Sequence, residues 1–195
     1  MTKSKEDESR FKEQVTYSDD GKTLIKCNNK IINEYKINDG CEVISDSAFK
    51  DCYKLESISF NSNLLQIGNS AFEGCVALQK VTFPNNLQII GDAAFFSCQK
   101  LECVEKTDKV TKIGEYAFAH CYSLQSFVLP NNTTRIEKGT FYDCHLIRTI
   151  DNYETINYIG DKAFYNCTYI RFPSWVIELN PKAFECCGEP KETGC

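Results

Sequence analysis

The sequence predicts a repeat solenoid, and three observations carry that prediction. First, the word Phe-x-x-Cys occurs seven times, at Phe49/Cys52, Phe72/Cys75, Phe95/Cys98, Phe118/Cys121, Phe141/Cys144, Phe164/Cys167 and Phe184/Cys187. Second, the first six phenylalanines stand 23 residues apart and the last interval is 20. Third, aligning the copies on Phe reveals further columns: Ile44, Ile67, Ile90, Ile113, Ile136, Ile159 and Leu179 five residues before, and alanine just before in every copy except Thr140. A fixed period in this range means that each unit buries its apolar side only by stacking on its neighbours.

Taken in order, residues 1–14 form a charged N-terminal arm with no apolar stretch that could act as a signal peptide. Residues 15–40 read as an N-terminal β cap and half repeat, because Asp20-Gly21 between short β-type runs is a hairpin signal and Tyr35 and Ile37 fall in repeat register. The solenoid itself is placed at 41–187. In one full unit, Leu78-x-x-Val81-x-Phe83 reads as a strand, Pro84-Asn85-Asn86 as a turn and Leu87-x-x-Ile90-Gly91 as a second extended pass. Asp92 then reads as the N-cap of one helical turn carrying Ala94, Phe95 and Cys98. The glycine column (Gly68, Gly91, Gly114, Gly160) marks a corner that needs a permissive backbone, with Ser45, Glu137 and Asn180 in the other copies. Pro173 and Pro181 frame Trp175 in a decayed last unit, and 188–195 is a C-terminal tail.

Composition narrows the function. At 195 residues, 42% hydrophobic and 25% charged, with net charge −5 and no basic stripe, the chain suits a soluble domain and not a nucleic-acid binder. No 18-residue apolar run offers a membrane span. Seven of the twelve cysteines are the repeat column, where parallel side chains would hold their Cβ atoms too far apart for bridges, so a ladder of buried free thiols is expected. Cys186 and Cys195 near the end leave a bridge or loose metal site open. His120-Cys121 and Cys144-His145 are adjacent, but the same cysteines recur in copies without histidine, which argues for packing over catalysis. No phosphate loop or metal-hydrolase motif is present. Asn131-Asn132-Thr133-Thr134 holds two overlapping glycosylation sequons on a turn.

Leu-x-x-Val-x-Phe-Pro followed by Leu-x-x-Ile-Gly-x-x-Ala-Phe-x-x-Cys, over roughly residues 35 to 187, resembles the BspA-type leucine-rich repeat of surface antigens and adhesins from bacteria and parasitic protozoa. The resemblance implies a curved leucine-rich-repeat solenoid with a parallel strand ladder on one face and short helical turns on the other. It also implies adhesion to host matrix, cells or other microbes, with no catalytic residues, cofactor or metal. Two readings stay open: a surface or secreted adhesin-like module, as the resemblance implies, and an intracellular protein-interaction scaffold, as the missing signal peptide favours. The expected partner in both is a protein, and the expected state a monomer.

Two surfaces are candidates for that partner. On the strand face the outward positions are small or polar: Ser57, Lys80, Ser126 and Thr149 in one column, Ser59, Thr82, Glu105, Val128 and Asp151 in the other. On the turn side, one and four residues past Phe, stand Phe96, Tyr142, Tyr165, Tyr53 and Tyr122, and large aromatics outside a core are enriched in binding hot spots. The candidate residues are therefore Phe96, Tyr142, Tyr165, Tyr53 and Tyr122 on one side and Thr82, Glu105, Thr149 and Asp151 on the other.

Overall fold

The computed structural model describes residues 14–105, 108–131 and 133–188. It opens on an antiparallel hairpin of β1 (Val15–Tyr17) and β2 (Thr23–Cys27). Asp20 shapes the intervening turn, its carboxylate accepting from Ser18 Oγ at 2.6 Å and from the Lys22 amide at 3.0 Å, and Gly21 supplies φ +70°. Three-residue and two-residue strands then alternate: β3 (Glu34–Lys36), β4 (Val43–Ile44), β5 (Ser57–Ser59), β6 (Gln66–Ile67), β7 (Lys80–Thr82), β8 (Ile89–Ile90), β9 (Cys103–Glu105), β10 (Lys112–Ile113), β11 (Ser126–Val128), β12 (Arg135–Ile136), β13 (Thr149–Asp151) and β14 (Tyr158–Ile159).

From β2 onward each strand pairs in parallel with an equivalent strand one coil away, so the 23-residue period becomes ladder register: Ile44 opposite Ile67, Ile67 opposite Ile90, Val81 opposite Val104. The long strands stack in the order β3-β5-β7-β9, and the short ones in the order β1-β2-β4-β6-β8-β10, the hairpin supplying its first two members. The solenoid thus has six full coils, centred on Phe49 to Phe164, and a shortened seventh at Phe184. That last coil contains α1 (Ser174–Leu179), which follows Pro173, and a 3-10 helix over Pro181–Phe184.

The Phe-x-x-Cys corner is wound from successive tight turns. In coil 3 the Phe96 amide donates to Ala93 O at 3.0 Å and the Cys98 amide to Phe95 O at 3.1 Å. The intervening amides of Ala93, Phe95 and Ser97 reach instead to Glu115, Ala117 and Ala119 of the next coil, each at 2.8 Å. Alternate amides therefore serve the coil and the stack. The geometry requires a left-handed residue two before and two after each Phe from Phe49 to Phe164, as at Ala93 (φ 52°) and Ser97 (φ 58°). Asp92 does not act as the expected N-cap of its own turn. Its Oδ1 accepts from the Glu115 amide of the next coil at 2.9 Å, as Asn69 Oδ1 does from Asp92 and Asp46 Oδ1 from Asn69.

The glycine column has a different cause from the one its sequence suggests. None of Gly68, Gly91, Gly114 and Gly160 has a positive φ. A Cβ on Gly91 would stand 2.6 Å from the Asn69 amide nitrogen of the preceding coil, and one on Gly68 2.6 Å from that of Asp46. The column is glycine because adjacent coils touch there, backbone to backbone. Where the column holds Glu137, the contact fails. Gly68, Gly91, Gly114 and Gly160 each donate to the isoleucine carbonyl of the preceding coil at 2.8–2.9 Å, whereas the Glu137 amide makes no such bond. Among the described residues the short-strand ladder stops at that junction, and β12-β14 continues as a separate two-stranded sheet.

Inside, the Phe column is a continuous ring stack. Phe49 to Phe164 are fully buried, with successive centroids 5.1, 5.1, 5.4, 5.9 and 5.5 Å apart and planes within 10° of parallel. The widest step, Phe118 to Phe141, falls at the interrupted junction. Beside it runs the thiol column. Cys75, Cys98, Cys121, Cys144, Cys167 and Cys187 each donate their S–H to the Phe carbonyl of the preceding coil, at 2.9–3.3 Å. A small, weakly donating group satisfies that carbonyl without leaving a vacant polar atom in the core. Burial raises the Cys75 thiol to about 12, and lifts the Cys98 and Cys144 thiols well above the ordinary range.

Candidate binding surface

On the strand face, β5, β7, β11 and β13 alternate exposed, buried, exposed, so Thr82, Thr149 and Asp151 point outward as their column positions require. Thr82 Oγ1 donates to Glu105 Oε2 at 3.1 Å, and Lys80 Nζ pairs with Glu105 Oε1 at 2.8 Å. Those hydrogen bonds hold the Glu105 carboxyl below its ordinary value. Thr149 and Asp151 lie on β13, which pairs in parallel with β11. The four strand-face candidates therefore form two pairs, Thr82 with Glu105 on β7 and β9 and Thr149 with Asp151 on β13.

The turn side is more concentrated. Tyr142 and Tyr165, equivalent residues of coils 5 and 6, stack with centroids 4.6 Å apart and planes 6° from parallel. His120 packs edge-on against Phe96 at 4.9 Å and against Tyr142 at 5.4 Å, while Tyr122 stacks on His145 at 5.2 Å. Four of the five aromatic candidates, Phe96, Tyr122, Tyr142 and Tyr165, thus join one run of rings across coils 3 to 6. Tyr53 is exposed three coils from Tyr122 and makes no ring contact with the run. The structure does not bring it to the cluster.

Reading aromatics alone misses the polar centre of this run. Asp143 receives three side chains: His120 Nδ1 at 3.1 Å on Oδ2, His145 Nε2 at 3.0 Å and Asn166 Nδ2 at 2.7 Å on Oδ1. Burial alone would raise the Asp143 carboxyl, but hydrogen bonds from Asn166 and His145 outweigh it and hold the group below the ordinary carboxylate range. The signal was in the columns. His120, Asp143 and Asn166 all stand two residues past Phe, in the left-handed column where His, Asp and Asn are tolerated (φ 59°, 63° and 57°), and successive coils place them side by side.

The same alternation separates each histidine from its neighbouring cysteine. Cys121 and Cys144 turn inward to the Phe95 and Phe118 carbonyls, while His120 and His145 turn outward to Asp143. Among the described residues no three His, Cys, Asp or Glu side chains converge as a metal ion requires, and no helix is long and apolar enough to cross a membrane. Cations cap several outer rings: Arg135 lies 3.7 Å over Tyr158, and Lys162 5.6 Å over Tyr165.

Comparison with known proteins agrees with this architecture. A leucine-rich repeat protein of T. pallidum superposes with a TM-score of 0.72 at 23% identity, covering 90% of this chain and 96% of the other. A leucine-rich cell surface protein of Faecalibacterium prausnitzii gives 0.66 at 24% identity, covering 80% of this chain and 51% of the other. The pneumococcal vaccine antigen PcpA gives 0.61 at 18% identity, covering 91% of this chain and 46% of the other. The chain therefore spans nearly all of the first and about half of the other two. No curated protein matches by sequence. The family model described as the BspA type leucine rich repeat region matches residues 26–148 and 134–192 in six copies. Over nearly its whole described length, this chain belongs to the BspA-type leucine-rich repeat family.

Proposed function

We propose that this chain is a non-enzymatic, monomeric binding module that attaches to a protein partner on a host cell, matrix or microbial surface through the turn-side aromatic run. The observation that supports it most is the continuity of Phe96, His120, Tyr122, Tyr142, His145 and Tyr165 over four coils, with Asp143 and Asn166 at its centre. Rings held by mutual packing lose little freedom on binding, and Tyr in particular offers an apolar face with a polar tip. Family membership supports a protein partner, since leucine-rich repeats of this type are protein-interaction modules. Surface attachment rests on resemblance to proteins described as cell surface protein and vaccine antigen.

The test is immobilised binding to a panel of extracellular-matrix and cell-surface proteins. The doubly substituted Tyr142→Ala/Tyr165→Ala chain is expected to lose at least tenfold in affinity, and Thr82→Arg/Thr149→Arg to keep it. The reverse pattern would move the site to the strand face. Unchanged binding by both folded variants would remove both surfaces from consideration.

A further inference from the structure

Each histidine of the turn-side run has one ring nitrogen turned to Asp143 and one left over. His120 Nδ1 lies 3.1 Å from Asp143 Oδ2 and 3.4 Å from the Tyr122 hydroxyl. His145 Nε2 lies 3.0 Å from Asp143 Oδ1 and 3.1 Å from Asn166 Nδ2. The Asp143 carboxyl, held below the ordinary range, is ionised and can only accept, so both inner nitrogens carry a proton. A bare His145 Nε2 would accept from Asn166, but its lone pair would face Asp143 Oδ1; Asn166 donates to that oxygen instead, at 2.7 Å. One carboxylate thus fixes the tautomer of two rings.

That leaves His120 Nε2 and His145 Nδ1, which make no hydrogen bond among the described residues. Their side chains are 25% and 45% exposed, against 19% for Asp143. In a neutral ring whose inner nitrogen holds the proton, the outer nitrogen is an acceptor; in the imidazolium it is a charged donor. Acidification therefore turns two outward acceptors into two cationic donors, and two imidazoliums outweigh the single carboxylate between them.

Taking the turn-side run as the binding surface, we propose that these two outer nitrogens clasp a carboxylate-rich segment of the protein partner once the imidazoles gain their second proton. The surface then binds in acid and releases as pH rises. The rings are already oriented for this: Phe96 and Tyr142 pack edge-on against His120, and Tyr122 stacks on His145, so little freedom is lost on binding. Asp143 offers no matching site for a cationic segment, because three donors already occupy it. Among the described residues it is also the one carboxylate in contact with either imidazole, and the other polar groups that face them are Tyr122, Tyr142 and Asn166. Lys162, 5.6 Å over Tyr165, adds positive charge at the end of the run.

The experiment titrates a fluorescent oligoglutamate peptide with the folded full chain and follows anisotropy at about pH 5.5 and about pH 7.5, a range over which imidazoles change charge while glutamate stays ionised. Binding is expected to be about tenfold tighter at the lower pH, the size of one charge-assisted hydrogen bond. His120→Asn/His145→Gln, in which Asn suits the left-handed backbone at 120, abolishes the difference, and an oligolysine peptide gains nothing on acidification. Equal affinity at the two pH values, a pH response that survives the double substitution, or tighter oligolysine binding in acid overturns the proposal. If the double variant fails to fold, nitrogen-resolved NMR of the wild-type imidazoles decides: protons on His120 Nδ1 and His145 Nε2 at the higher pH are required, and the opposite tautomers overturn it. A pH-independent peptide result, with Tyr142→Ala/Tyr165→Ala still weakening binding to the protein panel, removes the acid switch and leaves the turn-side surface standing. An acid-dependent peptide result, with the panel bound on the strand face, does the reverse.

Discussion

Two neighbouring residues of coil 3 show how far chemistry depends on place. Gly91 has ordinary backbone angles but no room for a Cβ, whereas Ala93 has room but a left-handed backbone at φ 52°. Gly91→Ala is therefore expected to destabilise by about 2–3 kcal/mol through forced separation of coils 2 and 3. Ala93→Gly relieves left-handed strain of about 1–2 kcal/mol and adds about 0.5–1 kcal/mol of unfolded-state entropy, for a net gain of about 0.5–1 kcal/mol. Opposite signs in urea denaturation confirm the assignment, and equal signs reject it. Asp143 gives a second residue-scale expectation. Its folded carboxyl titrates below its unfolded value, so its contribution is present above the unfolded pKa and disappears as pH falls through the lowered folded one. Asn166→Ala should move the Asp143 titration upward in carboxyl-resolved NMR; an unmoved midpoint would show that the Asn166 contact does not hold it down. The Phe, Ile and Ala columns were legible in the sequence because their side chains report burial directly. The glycine column was legible only as glycine, because its reason lies in the backbone of another coil.

At the scale of the element, the interesting coil is the fifth. It departs from the pattern at three clustered positions: Glu137 for Gly, Gly139 in the left-handed column, and Thr140 for Ala. Each has a local reason. Glu137 pairs with Arg135 at 2.8 Å, Gly139 leaves space that the Tyr116 ring occupies, and the Thr140 hydroxyl donates to Glu137 O at 2.8 Å. Together they interrupt the short-strand ladder while the corner bonds continue: Tyr116 to Lys138 O and Phe118 to Thr140 O, both at 2.9 Å. Amide hydrogen exchange should therefore be slow at Gly114 and Gly160 and fast at Glu137. Equal protection at all three would mean that the ladder is unbroken in solution. The sequence displayed these substitutions as mere exceptions, since a column alignment records which residue differs and not which hydrogen bond it removes. It also left the short strands β4 to β14 as an unspecified extended pass, because two residues are too few to show alternation.

For the molecule as a whole, stability is a sum over stacked units, with interior coils buried on both faces and end coils on one. Phe95→Ala or Phe118→Ala should cost about 3–5 kcal/mol. Phe184→Ala should cost clearly less, because that ring is only half-buried and lies in the shortened coil. Chemical denaturation of the three variants compares them, and equal losses would mean that the last coil is as essential as an interior one. The solenoid and its ladders were readable from periodicity alone, but the polar centre of the aromatic run was not. It is assembled from three successive coils, by residues up to 46 positions apart that become neighbours only once the coils are stacked. The shared carbonyl of each Phe, accepting its own coil's amide and the next coil's thiol, also makes the chain a ruler graduated in units of 23. Excising residues 73–95 would join Phe72 to Phe96 with every later column still in phase, yielding the same object one graduation shorter. Removing 22 residues instead would put every later side chain out of step with those before it.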